Sequence, residues 1–380
     1  MDLSVIILSW NTCGLLEKCL RSLACSQPGL EYEVIVVDNA SEDDSRAMVR
    51  RLFPNVRLLV NPTNVGFSAG NNTAIPHATG RYVLFLNSDT VVLEGALAAM
   101  VRYADAHPDI GILGPKLLNA DDTLQYSCRR FPNLGTGFFR NTPLGRLFPH
   151  NRFALDYLYQ NWDHATPRDV DWVSGAALML RRTLLDQIGG FDEDFFMYCE
   201  DVDLCWRTAH TPLPTSPPPT DLTPGPFPSQ GGGKEQKPCS PLLPGPSPSK
   251  GEGGAEASIA PACAGRQRAA GPTAAGFSLP NKPGRTWRVV YYPDAVIYHL
   301  IGKSTDKVPT RMTYEFHRSQ YLFYKKHYAA STPLLLRPLI PVGIALRAVG
   351  QMTRFRVRYW QRRLRGQEKP KRQTPRGGRS

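Results

Sequence analysis

Glu33-Val-Ile-Val-Val-Asp-Asn-Ala-Ser41 is an unbroken run of β-branched residues that stops at a carboxylate and an amide. A strand buried on both faces reads this way, because neither face needs polar side chains. Upstream, Leu3-Ser-Val-Ile-Ile-Leu8 is a similar run, and Gly14–Leu23 between the two has helical spacing. Downstream, Ser41–Arg51 reads as a helix with Ser41 as its N-cap, followed by a strand at Val56–Val60 and a helix at Gly66–Ala78. Tyr82-Val-Leu-Phe-Leu86 is a fourth strand, and Glu94–Ala106 another helix. Short apolar strands alternating with helices predict an α/β fold, a mostly parallel sheet flanked by helices. In open sheets of this kind, ligands bind beyond the carboxyl ends of the strands. Those ends here are Ser9-Trp-Asn11, Asp38-Asn39 and Asn87-Ser-Asp89, each polar directly after an apolar run.

At 380 residues, 42% of them apolar, the chain can build a sizeable core. Its net charge of +12 is unevenly placed: Gln351–Ser380 holds eleven Arg or Lys against one acid, Glu368. Ahead of that tail, Met312–Tyr328 reads as an amphipathic helix, and Pro333–Met352 is apolar but interrupted by Arg337, Arg347 and three prolines. An interfacial or re-entrant helix fits better than a clean span, and a basic tail behind it suits an anionic membrane surface better than nucleic acid. The eight cysteines show no Cys-x-x-Cys pairing and no zinc-like spacing, so reduced thiols packed as small hydrophobes are expected. Leu3 opens a strand with no basic, cleavable leader ahead of it. The expected location is therefore cytoplasmic, peripheral on the inner face of the cell membrane.

From about Thr211 to Gly284 the composition changes to Pro, Gly, Ser and Ala. Leu222-Thr-Pro-Gly-Pro-Phe-Pro-Ser-Gln-Gly-Gly-Gly233 and Leu242-Leu-Pro-Gly-Pro-Ser-Pro-Ser-Lys-Gly-Glu-Gly253 are identical at eight of twelve positions. Such a segment buries too little apolar surface to offset chain entropy, so a disordered insert is expected. Trp287-Arg-Val-Val-Tyr-Tyr-Pro-Asp-Ala-Val-Ile-Tyr-His299 resumes ordinary folded sequence. Removing 211–284 would join the preceding helix to this strand by a turn of usual length.

Several segments carry chemistry. Asp38 can accept hydrogen bonds from a ribose or a base N–H, although an Asx turn leading into a helix uses the same residues. Asn64-Val-Gly-Phe-Ser-Ala-Gly-Asn-Asn72 opens a helix with two glycines, where backbone can approach a phosphate; it is neither a Walker loop nor a dinucleotide fingerprint. Asp89 can hold Mg²⁺ or Mn²⁺ together with phosphate oxygens, with His299 as a second ligand, though a lone Asp is more often a cap. Phe191-Asp-Glu-Asp-Phe-Phe-Met-Tyr-Cys-Glu-Asp-Val-Asp-Leu-Cys-Trp-Arg207 packs six carboxylates among aromatic and apolar residues. Glu200, Asp201 and Asp203 start an apolar helix, where the dipole favours them and burial can shift their pKa values for acid–base work. A capped, solvated helix start accounts for the same charges.

Taken in order, these elements resemble the family 2 glycosyltransferases with the GT-A fold, particularly the rhamnosyltransferase-like branch of surface-polysaccharide enzymes. The resemblance rests on Val5-Ile-Ile-Leu-Ser-Trp-Asn11, Val36-Val-Asp-Asn-Ala-Ser41, Asn64–Asn72, Leu86-Asn-Ser-Asp-Thr90, Val173-Ser-Gly-Ala176, Phe191–Phe196, Glu200-Asp-Val-Asp-Leu-Cys205 and Tyr298-His299. It covers residues 1–210 and 285–328. It implies a donor half of about 1–118 and an acceptor half of about 119–210 plus 285–328, with 211–284 an insert and 329–380 a membrane-associating tail.

By resemblance, Ser9, Asn11, Asp38, Asn39, Gly66, Asn71, Asn87 and Ser88 would hold a nucleoside-diphosphate sugar. Asp89 stands last in the family's Asp-x-Asp motif, whose first place is Asn87 here, and would bind a divalent cation, Mg²⁺ or Mn²⁺, with His299. Trp172, Ser174 and Gly175 would line the acceptor side. Asp201 would be the general base, with Glu200 the less favoured candidate. The implied activity is an inverting transfer of a sugar, rhamnose first among donors, to a lipid-linked glycan. Two other readings compete. A nucleotidyltransferase would carry a Gly-rich, Arg/Lys-bearing first loop, which is missing. A nucleotide-sugar-binding protein inactivated by the insert would keep affinity without turnover.

Overall fold

The computed structural model describes residues 1–24, 29–133, 136, 152–215, 285–300 and 309–364. Strand β1 (Leu3–Ser9) leads through α1 (Cys13–Ala24), β2 (Tyr32–Asp38), α2 (Ser45–Leu52), β3 (Arg57–Val60) and α3 (Phe67–Asn72) to β4 (Tyr82–Asn87). Then come β5 (Thr90–Val92), α4 (Ala96–Ala106), β6 (Ile110–Leu118), β7 (Leu124–Gln125), β8 (Cys128–Arg129), α5 (Arg152–Tyr157) and β9 (Arg168–Asp169). The chain continues with β10 (Trp172–Val173), β11 (Ala177–Arg181), α6 (Arg182–Ile188), α7 (Glu200–Ala209), β12 (Arg288–His299), α8 (Pro309–His327) and α9 (Leu339–Leu364).

The main sheet runs β3-β2-β1-β4-β11-β6-β12-β5. Its first four strands are parallel, as the apolar runs predict. Beyond β4 the sheet is mixed: β11 enters antiparallel between β4 and β6, β12 lies parallel to β6, and β5 pairs antiparallel with β12. The result is a mixed sheet flanked by helices. Alternation along β1 sends Leu3, Val5 and Ile7 to one face and Ile6 to the other, and both faces are covered. Leu16, Leu20, Leu97 and Met100 of α1 and α4 pack on the first face. Phe191, Phe195 and Leu204 pack on the second. Each fully buried aliphatic side chain in these layers is worth about 1.5–3 kcal/mol.

Three expectations change. The second helix starts at Ser45 rather than Ser41, because Ser41 is already engaged: its N–H donates to Asp38 Oδ2 at 3.0 Å and its Oγ accepts from the Asn11 N–H at 3.0 Å. The helix expected over 66–78 ends at Asn72, and Pro76 falls in a separate 3-10 turn at Ile75–His77. The apolar segment after Pro333 becomes helical only at Leu339. Among the described residues no helix is long and apolar enough to cross a membrane.

The expected disorder of the insert concerns residues that lie, from 216 to 284, outside the described ones, as does the tail beyond 364. The two flanks of the insert meet. Pro212 and Thr286 form a β-bridge, the Leu213 N–H donates to Arg285 O at 2.8 Å, and the Trp287 N–H donates to Thr211 O at 3.2 Å. Five cysteines, 13, 19, 128, 199 and 205, are free thiols.

Candidate active site

At the carboxyl ends of β1 and β2, Ser9 stands in register with Asp38. Asp38 is buried: one oxygen, Oδ2, accepts from the Ser41 N–H and faces Arg46 Nε at 3.5 Å, while Oδ1 has no partner. A buried acceptor left unpaired costs about 1–3 kcal/mol, so this oxygen has an unused capacity to accept a hydrogen bond. Asn11 and Ala40 border it with left-handed backbone at φ 55° and 63°. That conformation is tolerable for Asn, but for Ala it is strain of the kind concentrated at functional sites.

Other candidates for donor binding have mainly internal partners. Asn39 donates to Asn64 Oδ1 and Gly66 O, both at 3.0 Å, and accepts from Asn61 Nδ2 and the Val65 N–H, so it moulds the 64–66 loop. Asn71 donates back to Phe67 O at 2.9 Å. Gly66, at φ 92°, lies where a Cβ would come within 2.5 Å of Phe196 O, so only glycine lets this loop meet the 191–199 segment. Hydroxyls link the strand ends: Ser9 to Thr12 at 2.9 Å and Thr12 to Ser88 at 3.0 Å.

The second cluster joins Asn87, Asp89 and His299, which are far apart in sequence. Pairing of β12 with β5 brings His299 beside Thr90, and His299 Nε2 then lies 3.3 Å from Asp89 Oδ1 and 3.4 Å from Asn87 Nδ2. Gln125 orients the imidazole. Its Nε2 donates to Asn119 Oδ1 at 2.9 Å, which turns its Oε1 to within 2.7 Å of His299 Nδ1. Nδ1 must therefore donate, and in the neutral ring Nε2 presents a lone pair toward the Asp89 carboxylate. Two electron-pair donors facing one point, with the imidazole fixed from behind, suit a divalent cation that takes its remaining ligands from phosphate. Among the described residues no group of three or more His, Cys, Asp or Glu could hold a metal alone.

The third cluster is the start of α7. Tyr198 and Cys199 both hold left-handed backbone, at φ 71° and 64°, and this strained turn sets the helix entry. Asp201 remains partly accessible; Oδ2 accepts from the Gly175 N–H at 3.0 Å and Oδ1 from the Val202 N–H at 2.8 Å. Burial raises its carboxyl above the usual carboxylate range, against the lowering effect of those two N–H groups and of Arg129. Glu200 is more enclosed, with Oε2 unpartnered, and burial together with the Asp201 charge pushes its carboxyl well upward.

The turn Ser174–Ala176 connects the last two clusters, since Ala176 O accepts from the Asn87 N–H at 2.9 Å. Its Ser174 N–H donates to Ser127 O at 2.7 Å. Trp172 is buried, its Nε1 donating to Arg130 O at 2.9 Å, and presents its ring beneath the Arg129 guanidinium, 5.0 Å from the centroid.

Sequence reasoning missed Gln125, Arg129 and the role of Asp203. Asp203 is fully buried and receives Arg207 Nε at 2.8 Å, Lys326 Nζ at 2.7 Å and His327 Nε2 at 2.7 Å, so it fastens α7 to α8 rather than joining the site. A signal for Gln125 existed in its alternation with Tyr126 after the apolar strand, but nothing in the sequence pointed it at His299.

A family model described as glycosyl transferase family 2 matches residues 4–188. N-acetylglucosaminyl-diphospho-decaprenol L-rhamnosyltransferase of Mycobacterium tuberculosis is 32% identical over 215 residues, 53% of this chain and 68% of that protein. Rhamnosyltransferase WbbL of Escherichia coli K12 is 26% identical, over 53% of this chain and 75% of that protein. Among solved structures, Staphylococcus aureus TarS in complex with UDP matches at 22% identity and TM-score 0.37, covering 54% of each chain. The mannosyltransferase PcManGT of Pyrobaculum calidifontis, in complex with GDP-Man and Mn²⁺, matches at 23% and 0.35, covering 53% of this chain and 50% of that one.

Proposed function

The chain belongs to glycosyl transferase family 2, and from that membership we propose that it moves a sugar, with inversion, from a nucleoside-diphosphate sugar to a lipid-linked glycan in surface-glycan synthesis. One observation carries the reading: the unpaired Asp38 Oδ1, the Asp89–His299 pair and the Asp201 carboxylate gather around the carboxyl ends of one sheet, the last two joined through the 174–176 turn. Two relatives are rhamnosyltransferases, which makes rhamnose the first donor sugar to test.

In this reading Asp38 accepts a hydrogen bond from the base or ribose of the donor, as carboxylates do at other open-sheet nucleotide sites. Asp89 and His299 hold the cation; when bound, it offsets charge developing on the leaving diphosphate. Asp201, held by two backbone N–H groups and raised above the usual carboxylate range, takes the proton of the acceptor hydroxyl as that oxygen attacks the anomeric carbon. Glu200 is too enclosed to compete for that proton.

Membrane association fits the far end of the chain. Leu335 is 88% exposed and Leu346 70% exposed, and Arg337 and Arg354 of the same stretch of sequence are exposed too, so this segment offers both apolar and cationic groups suited to anionic lipid. The alternative, a binder inactivated by the insert, is disfavoured because the flanks at Pro212 and Thr286 close on each other and β12 still delivers His299.

The test is calorimetric titration of dTDP, UDP and GDP into the full chain with and without Mn²⁺, followed by turnover of the matching sugar nucleotide. One nucleotide should bind more tightly with Mn²⁺ and support transfer. Binding without any turnover would replace the enzyme reading with the binder; no binding at all would end both.

A further inference from the structure

Arg129 has more donors than partners. It sits on β8 opposite Trp172 of β10, and its guanidinium stacks on that ring. Its Nε is buried without a hydrogen-bond partner, and one Nη reaches Tyr126 O only at 3.4 Å. Among the described residues it makes no ion pair. Stacking fixes the plane of a guanidinium but satisfies none of its in-plane N–H groups. A half-buried fork of this kind matches a phosphate, which takes two parallel N–H bonds.

Two further cations stand near. Arg130 also has a buried, unpartnered Nε and lies 5.2 Å over Tyr159; Arg168 lies 5.1 Å over Tyr159 and 5.1 Å over Trp162. Arg130 has the Asp171 carboxylate near it, whose Oδ2 already accepts from the Phe131 N–H at 2.6 Å, and Arg129 has Asp201, whose oxygens already accept from the Gly175 and Val202 N–H groups. The three arginines on aromatic faces therefore form a positive, semi-rigid wall in which, among the described residues, no guanidinium is tied to a carboxylate by a salt bridge.

The location separates this wall from the nucleotide end. The ribbon β8–β10 runs directly into the turn whose Gly175 N–H holds Asp201, and Arg129 is close enough for its charge to act on that carboxylate. Asp89 and His299 lie across the same turn, beyond Asn87. An acceptor hydroxyl presented to Asp201 brings the rest of the acceptor to the ribbon side. If that acceptor is a sugar on a lipid diphosphate, its phosphates arrive about one sugar ring away from the attacked hydroxyl.

We propose that Arg129, stacked on Trp172 beside the Asp201 turn, binds the diphosphate that joins the acceptor glycan to its lipid, with Arg130 and Arg168 extending the cationic wall. The inference rests on the glycosyltransferase reading above but is tested without turnover.

Geranyl diphosphate, a short lipid diphosphate, and dTDP with Mn²⁺ are titrated separately into the full chain, as wild type, Arg129→Gln and Arg129→Lys. Loss of charged hydrogen bonds to phosphate should weaken geranyl diphosphate at least about tenfold in Arg129→Gln. Arg129→Lys, which keeps the charge over Trp172, should fall between and serves if the Gln variant does not fold. dTDP affinity should not change. Geranyl diphosphate that fails to bind wild type, or binds Arg129→Gln equally well, overturns the proposal. Equal loss of dTDP overturns it too, by placing the arginine on the donor. Failure of dTDP to bind wild type would instead count against the donor-site reading while leaving the lipid-diphosphate result to stand alone.

Discussion

His327 Nε2 lies 2.7 Å from Asp203 Oδ1, joining a helix near the end of the described chain to the helix that carries the candidate base two residues earlier. Burial pushes the Asp203 carboxyl up, but bonds from His327 and Lys326 and the Arg207 charge outweigh it and hold the group at about 2. A folded pKa below the ordinary carboxylate value stabilises the fold at pH above about 4 and loses that contribution as pH falls toward about 2, worth about 2 kcal/mol. Asp203→Asn should cost roughly 1.5–3 kcal/mol, because it weakens the charge-assisted hydrogen bonds that Arg207, Lys326 and His327 make to a buried carboxylate. Urea unfolding from pH 7 to pH 3 checks both; an Asn variant with the wild-type pH slope would show that the clamp carries no charge linkage.

Asp201→Asn should lower the transfer rate by about 10²–10⁴-fold while nucleotide affinity stays within a factor of about two. In the wild type, protonating a base whose pKa is raised disables it, so the rate should fall with decreasing pH at values above the usual Asp range. Glu200→Gln should retain that acidic limb. A profile that follows Glu200 instead would exchange the two roles.

Asp89→Asn and His299→Ala should each remove most of the Mn²⁺-dependent gain in nucleotide affinity. Gln125→Leu leaves both ligands but frees the imidazole, and by analogy with other supporting residues it should weaken metal affinity by about 10–100-fold. Mn²⁺ titration monitored by nucleotide binding separates the three variants, and an unaffected Gln125→Leu would mean that His299 needs no anchor.

The sheet was largely legible because β1, β2 and β4 are continuous apolar runs that end at polar residues. The direction of β11 was not, since Ala177–Arg181 buries both faces and such a run has no polarity to reveal whether it pairs parallel or antiparallel. Ser41 misled as a helix cap because its groups are drawn to Asp38 and Asn11, a tertiary demand that local propensity does not contain. Of the carboxylates that start α7, Asp203 looked like Asp201; what separates them is Lys326, 123 positions later. Gln125 was equally hidden, 174 positions from the imidazole it holds.

Replacing 216–284 by a short Gly-Ser linker should leave the fold intact, because Pro212 and Thr286 are already bridged. Shortening the loop lowers closure entropy by about 1 kcal/mol or more, so thermal stability should stay the same or rise slightly. A shortened chain that aggregates or loses nucleotide binding would give the segment a structural role.

Leu335→Glu combined with Leu346→Glu should abolish cosedimentation with vesicles rich in anionic lipid, and wild-type binding should weaken as salt rises. Neutral vesicles serve as the comparison. Binding that ignores both the substitutions and the salt would place the membrane contact elsewhere.

Between β6 and β5 the sheet leaves room for one strand, and that strand is β12. Among the described strands β5 pairs with β12 alone, so the sheet cannot close on that side during synthesis until residues 288–299 leave the ribosome. The insert lengthens that wait by roughly the time of its own translation, at about 5–20 residues per second. His299 is the last residue of the strand that completes the sheet. If His299 holds the cation as proposed, metal capacity would mature only when the sheet does, and a nascent chain halted before it would carry the proposed nucleotide end of the site without the means to hold the cation.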